Sequence, residues 1–391
     1  MGGGGLTGRC AVHDLATGGV FDSVVAADLD AELAGAAARA AGPRASAATI
    51  DVRDTTALVA LLRGSAVVVN AVQYTFNLRV MEAALEARVP YLDFGGLFHM
   101  TRRQLAMDEA FRQAQRVAIP GLGQVPGISN VLAMQACDDL DHVESLIIRD
   151  GWRDLTVGGP EISFTWSPST FLDEMILPAQ VFEGGGFREY PPMSGGEEYD
   201  FGPPVGRTRV YRTLHSEPAT LPDSLRAKGI THCEWKEGGP GIDVLRTMAL
   251  LGLGSETPLD VRGQKVAPRE FTLALLKREK LLGAPEGVAV TDWEVCDIEV
   301  RGTKAGHPVL RHALARFPPR PDWHLTATEY AVGVAGAVGA ELIATGAVGA
   351  HGVVPPERCV PPGPFRQALA KRGIETTITP PEAPLPPPRV G

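Results

Sequence analysis

The chain has no surplus of basic charge: 37 Lys and Arg stand against 46 Asp and Glu, a formal net charge of -9. A field of that sign gathers neither nucleic acid nor an anionic membrane surface, so neither is an expected partner. A long apolar run is lacking as well. The most apolar stretch, residues 330–350, is interrupted by Glu341 and consists mostly of alanine, glycine and valine, which fits a buried helix better than a membrane span. Cysteine is sparse, with Cys10, Cys137, Cys233, Cys296 and Cys359 scattered without close pairs. No cleavable signal segment is read at the start, and reduced thiols in a cytoplasm are expected. None of the 9 histidines pairs with cysteine or acid at ligand spacing, so no metal site is expected.

Glycine, by contrast, is abundant, and its densest cluster lies at the front. Gly3, Gly5 and Gly8 form the pattern G-x-G-x-x-G ahead of a helical stretch at residues 9–16. In a dinucleotide fold the first glycine makes the tight turn, the second admits the pyrophosphate, and the third lets helix and sheet pack. The helix that follows points free N–H groups at a phosphate. A nucleotide-triphosphate loop is excluded, because Arg9-Cys10 follows the last glycine where Lys-Ser or Lys-Thr is needed. The pattern alone is weak in a chain with 45 glycines. Only Met1 and Gly2 precede it, so the apolar first strand of such a fold is absent, and the expectation is a natural start further upstream.

The run Val24-Val25-Ala26-Ala27 reads as a buried strand closed by Asp28, about twenty residues beyond Gly8, where a carboxylate takes both ribose hydroxyls of an adenosine. A ribose 2'-phosphate about 4 Å from that carboxylate is repelled by roughly 1 kcal/mol per charge pair in water and about 4 at intermediate dielectric. NAD is therefore favoured over NADP. Further strands are expected at residues 48–50, 66–71, 89–93 and 117–120, alternating with helices at 55–62, 77–88 and 100–115, the pattern of a parallel sheet. Their carboxyl ends carry Asp28, Asp51, Asn70 and Asp93, with Asp51 and Val52 expected against the adenine and Asn70 and Ala71 on the nicotinamide side.

Residues 121–130, Gly-Leu-Gly-Gln-Val-Pro-Gly-Ile-Ser-Asn, are too rich in breakers for a helix interior and mark the exit from this unit. Beyond them, alternating runs at 143–149 and 293–300 predict a mixed or antiparallel sheet in a second domain, serving as substrate lid or dimerisation platform. A helix at 326–344 is expected to return to the first sheet. The domains are thus 1–125 plus 325–378, then 126–324, with the proline-rich tail 379–391 disordered. The fold class is α/β, a Rossmann doubly wound parallel sheet with an inserted α+β mixed-sheet domain.

Four motifs carry a resemblance: Val67-Val68-Val69-Asn70-Ala71, Tyr91-Leu92-Asp93-Phe94-Gly95-Gly96, the loop 121–130, and Gly352-Val353-Val354-Pro355-Pro356-Glu357. Together they resemble the saccharopine dehydrogenase family, most closely its L-lysine 6-dehydrogenase-like members. The weakest match falls between about Trp152 and Leu275. The resemblance implies a Rossmann domain, an inserted domain carrying much of the substrate pocket and the subunit contacts of a homo-oligomer, and NAD- or NADP-dependent oxidation of a small amino-acid amine. It places the cofactor on Gly3, Gly5, Leu6, Thr7, Gly8, Asp28, Asp51, Val52, Asn70 and Ala71, with Gly123 and Pro126 from the loop. Asp93 is the first candidate for proton handling, Tyr74 the second, and Asn77, Trp166, Arg209 and His215 are candidate substrate contacts, an arginine being suited to clamp a carboxylate. Two alternatives stay open: an imine reductase of the saccharopine or carboxynorspermidine type, and a non-catalytic NAD-binding sensor.

Overall fold

The computed structural model of the protein describes residues 1–156, 164–284 and 287–380. The proline-rich tail, apart from residues 379 and 380, lies outside them. No helix among the described residues is long and apolar enough to cross a membrane.

The first unit holds two parallel ladders. Strands Val24–Asp28 and Ala45–Thr49 pair in one; Gly352–Val353, Val117–Ile119, Tyr91–Asp93 and Val68–Asn70 form the other in that order. Residues 1–3 lie between the two. The Met1 ammonium donates to the Val69 carbonyl at 2.7 Å, Ala71 N–H donates to the Met1 carbonyl at 3.0 Å, and Gly3 N–H donates to the Ala27 carbonyl at 3.0 Å. The helices start where the sequence supplies caps: Asp30 accepts from the N–H groups of Glu32 and Leu33 at the head of Ala31–Ala41, and Asp54 from Ala57 at the head of Thr55–Leu62. The helix expected over 100–115 is instead two, Leu97–Leu105 and Asp108–Gln113.

The returning helix Ala327–Ala344 packs on helix Leu6–Gly18 and on the strands beneath. Glycines three apart make that approach possible: a Cβ at Gly333 would lie 2.5 Å from the Cys10 Cβ, and one at Gly336 2.2 Å from the Phe94 ring. With strand Gly352–Val353 paired to Val117–Ile119, the nucleotide-type unit is discontinuous in sequence. The last strand, Glu375–Ile378, departs from the expected division at 378, because it pairs with His307–Phe317 in the second sheet.

That second sheet runs Glu375–Ile378, His307–Phe317, Trp293–Lys304, His142–Arg153, His232–Gly238, Arg207–Arg212, Ser194–Asp200. Strand His142–Arg153 is parallel to His232–Gly238 and antiparallel to Trp293–Lys304, so the sheet is mixed. One apolar core joins the units, with Leu92 and Ile119 of the first, Val131 of the connecting helix, and Ile148, Trp235 and Ile298 of the second. Period-two alternation then puts Asp150, Glu237 and Glu294 further along the same sheet face, past the end of the apolar cover.

Candidate active site

At the nucleotide turn the glycine spacing is enforced by contact. A Cβ on Gly8 would lie 2.0 Å from the Gly2 carbonyl oxygen, one on Gly3 3.0 Å from the Ala26 Cα, and one on Gly5 3.3 Å from the Gly2 oxygen. Helix Leu6–Gly18 therefore begins hard against the turn, with the N–H groups of its first residues, Leu6 and Thr7 among them, at its open end. Asp28, at its strand's carboxyl end, accepts from Gly4 N–H at 3.0 Å and Asp30 N–H at 3.1 Å, which fixes its carboxylate over the turn. Asp51 is gripped by Arg53 at 2.6 and 2.9 Å, and that hydrogen bond holds its pKa down to about 2. Val52 packs at the edge of the core beneath helix Thr55–Leu62.

Two cavities open beyond the turn. The smaller, about 120 Å³, is lined by Thr7, Asn70, Ala71, Tyr74, Pro126 and Glu174 among others. The larger, about 320 Å³, lies over the second sheet. They share the walls Val125, Trp166, His215 and Val332, so His215 stands at their junction. Three buried polar atoms of the smaller cavity's lining, Asn70 Oδ1, Ser216 Oγ and Glu174 Oε2, have no hydrogen-bond partner among the described residues. The smaller cavity thus offers unpaired polar atoms to a ligand.

The floor of the larger cavity is acidic. Glu237 lies directly across from Asp150, and Glu294 is two residues from Cys296, the partner of Asp150 on the other side. Like charges at such spacing repel unless protonated or matched by a cation. Burial first, and Glu294 second, push Asp150 well above the usual carboxylate range. Asp292, also in the lining, is pushed up to about 7, by burial and then by Asp154 and Glu294. The walls are aromatic: Trp152, Phe164, Trp166, Phe171 and Trp235. Arg153 is the one guanidinium or ammonium group among the described lining residues.

His215 is stacked on Trp235, ring centroids 3.9 Å apart at 8°. Its Nδ1 is bonded to Glu217, which accepts in turn from Ser129 Oγ at 2.8 Å, and its Nε2 lies 4.0 Å from Glu174. Burial opposes charge on this imidazole, but Glu217 and Glu237 outweigh it, and its pKa is raised. Burial pushes Glu174 well above its usual range, with Glu237 adding to it. The junction thus holds an imidazole and a carboxyl both inclined to carry protons.

Two family models match the chain one after the other, with the returning helix and strand falling inside the second. The model of the saccharopine dehydrogenase NADP binding domain matches residues 1–119, and that of the saccharopine dehydrogenase C-terminal domain matches residues 123–374. The chain belongs to the saccharopine dehydrogenase family. Carboxynorspermidine synthase of Vibrio cholerae is 28% identical over 225 residues, 54% of this chain and 52% of that one. Carboxyaminopropylagmatine dehydrogenase of Synechocystis is 23% identical over 253 residues, 61% and 62% of the two chains. The chain thus spans between 52% and 62% of the curated relatives it matches. Among solved structures, the L-Glu-forming saccharopine dehydrogenase of Saccharomyces cerevisiae gives a TM-score of 0.73 at 17% identity, covering 96% of this chain and 98% of that one. Homospermidine synthase of Legionella pneumophila, solved with NAD, gives 0.66 at 11% identity, covering 96% and 89%.

In this member of the saccharopine dehydrogenase family, the residues singled out from the sequence fall into two groups. Gly3, Gly5, Leu6, Thr7, Gly8, Asp28, Asn70, Ala71 and Pro126 gather along the turn and the smaller cavity, and Trp166 and His215 stand at the junction. Tyr74 also lines the smaller cavity, where its hydroxyl donates to Asp173 at 2.9 Å; burial, then that carboxylate, raise its pKa, so it holds its proton. Gly123 lies within the loop, where a Cβ would meet the Phe94 carbonyl oxygen at 3.2 Å.

The remainder lines neither cavity. Asp93 is fully buried, accepting from Gly95 N–H and Gly121 N–H, each at 2.8 Å, and from Tyr91 and Gln104. Its carboxylate is consumed in tying strand Tyr91–Asp93 to the loop 121–130. Asn77 donates to the Gly95 carbonyl at 3.1 Å and accepts from Asn70 at 2.9 Å. Arg209, on the outer part of its sheet, pairs with Glu198 at 2.9 Å, away from both cavities. Gln124, Asp150, Glu174, Glu237 and Glu294 were not among the candidate site residues read from the sequence. The strand alternation around Glu294 was legible, but strand pairing alone sets it near Asp150 and Glu237.

Proposed function

We propose that the protein is an NAD(P)-dependent oxidoreductase of a carbon–nitrogen bond, interconverting an imine and a secondary amine whose far end is cationic, the carboxynorspermidine type of reaction. The observation that carries this reading is the row Glu237, Asp150 and Glu294 beneath aromatic walls, in a cavity sharing its wall with the nicotinamide side of the cleft. Carboxylates supply counter-charge to an ammonium group, and indole faces add cation–π attraction. Relatedness to carboxynorspermidine synthase and carboxyaminopropylagmatine dehydrogenase supports the same class. L-Lysine is the second reading, since the same row accepts its α-ammonium. Once its side-chain nitrogen reacts, however, only one cation is left for three carboxyls.

The residues present fit a nicotinamide dinucleotide, as the glycine turn, Asp28 and the unpaired Asn70, Ser216 and Glu174 atoms indicate. When bound, its nicotinamide supplies or takes up the hydride. Asp28 disfavours a 2'-phosphate, so NAD is the proposed partner although the family's domain is described as NADP binding. We assign proton handling to His215 at Nε2, with Glu174 beside it and Glu217 fixing the ring through Nδ1. Asp93 is assigned the pinning of the loop rather than chemistry. Assembly as a homo-oligomer in the cytoplasm is part of the same reading and rests on family membership.

The test is reduction of NAD, and separately NADP, with carboxynorspermidine, saccharopine and L-lysine at alkaline pH. Carboxynorspermidine with NAD is expected to give the highest kcat/KM. Absence of turnover with all three contradicts the proposal and favours the non-catalytic reading.

A further inference from the structure

The cavity's most unusual polar group is not an acid. Gln124 is fully buried and lines the larger cavity, yet neither its Oε1 nor its Nε2 has a hydrogen-bond partner among the described residues. Its main chain is fixed by a short loop, in which Gly123 N–H donates to the Pro126 carbonyl at 2.8 Å, Ser129 N–H to the Gln124 carbonyl at 3.3 Å, and Leu122 N–H to the Asp93 carbonyl at 2.7 Å. The next residue, Val125, lines both cavities. A buried amide at a cavity wall, with neither end paired by the described residues, is available to a ligand that enters the cavity.

The chemistry of that ligand follows from the surroundings. Asp150, Glu237, Asp292 and Glu294 repel a carboxylate across most of the lining, and Arg153 lies exposed at its strand's end. Gln124 Nε2 offers uncommitted N–H groups to a carboxylate, while Oε1, next to it, accepts from a nitrogen. Among the groups of an amine substrate, an amine beside a carboxylate carries both a donor and an acceptor at that spacing.

We infer that Gln124 is a specificity-determining residue that reads an α-amino-acid group of the substrate, Oε1 accepting from the nitrogen and Nε2 donating to the carboxylate. This rests on the amine reading proposed above and assigns one residue to the amino-acid head that its candidate substrates share.

The full chain, loaded with NADH, is titrated calorimetrically with L-lysine, with ε-aminocaproate, which lacks the α-ammonium, and with cadaverine, which lacks the carboxylate. The native protein is expected to bind L-lysine at least about tenfold more tightly than either analogue. Gln124→Met, close in shape and unable to form these bonds, is expected to bring the three within about twofold while leaving NADH affinity and thermal midpoint unchanged. Gln124→Glu, which presents a carboxylate to the carboxylate, is expected to discriminate against L-lysine in favour of cadaverine. The inference is overturned if the native protein fails to bind or prefer L-lysine, if Gln124→Met weakens all three ligands equally, or if NADH affinity falls in parallel. Because binding is read without turnover, failure of the proposed reaction leaves this result intact, and the converse holds too.

Discussion

At the scale of single residues, a group's role is decided by what its polar atoms are already bonded to. Asp93 has the sequence position of a catalytic acid at a strand end, but its oxygens accept from Gly95, Gly121, Tyr91 and Gln104. Asp93→Asn sets an amide N–H against backbone donors; the expected loss is about 1–3 kcal/mol of stability, measurable by denaturant titration. His215 is the opposite case, with one nitrogen held by Glu217 and the other turned toward Glu174 at the junction of the cavities. His215→Asn is expected to lower kcat by about a hundredfold or more, with little effect on NADH affinity measured by fluorescence titration. A comparable loss of NADH binding would assign His215 to the cofactor instead. Sequence alone marked both residues as interesting. It did not tell them apart, because the deciding neighbours, Gly121 for Asp93 and Glu174 for His215, lie far away in the chain and are invisible before the fold places them.

At the scale of elements, the helix–turn at the front and the paired strands of the second sheet do separate work. Helix Leu6–Gly18 can meet the turn only because Gly8 lacks a Cβ, whose position would lie 2.0 Å from the Gly2 carbonyl oxygen. Gly8→Ala is expected to abolish measurable NADH binding while the second sheet's far-ultraviolet circular dichroism persists. The strand–helix alternation of the first unit, the returning glycine-rich helix and the mixed nature of the second sheet were all legible, because each follows from local periodicity and breakers. Less legible was the region from Trp152 to Leu275, where helices Ile242–Leu250 and Pro268–Arg278 flank a small hairpin, Leu259–Val261 with Gln264–Val266. The acidic row was hidden for a related reason. Its three carboxyls come from strands far apart in sequence, and the register that aligns them, Glu237 opposite Asp150 and Asp150 opposite Cys296, is a property of pairing.

At the scale of the whole molecule, collecting buried carboxyls around one cavity has a cost that depends on pH. Burial first, then the neighbouring Asp154 and Glu294, raise the Asp292 pKa to about 7, and Asp150 and Glu174 are displaced in the same direction. An acid whose pKa is higher folded than unfolded binds more protons in the folded state, so its stabilising contribution is full below the ordinary carboxylate range and is lost as pH rises through the folded value. The thermal midpoint of the ligand-free protein is therefore expected to fall between roughly pH 5 and 8. Asp292→Asn should flatten part of that slope, and a cationic amine should restore stability most at the alkaline end. An unchanged slope in Asp292→Asn would show that Asp292 is not the group titrating. The central claim, that this molecule joins a nicotinamide to a carbon–nitrogen bond held over an acidic floor, is tested most directly by isotope transfer. NADH deuterated at its transferable position is incubated with the protein and the imine corresponding to carboxynorspermidine, and the product is analysed by mass spectrometry. The account predicts an amine product one mass unit heavier, labelled on the carbon bonded to nitrogen. Unlabelled product, or label on a carbon bearing oxygen, would contradict it.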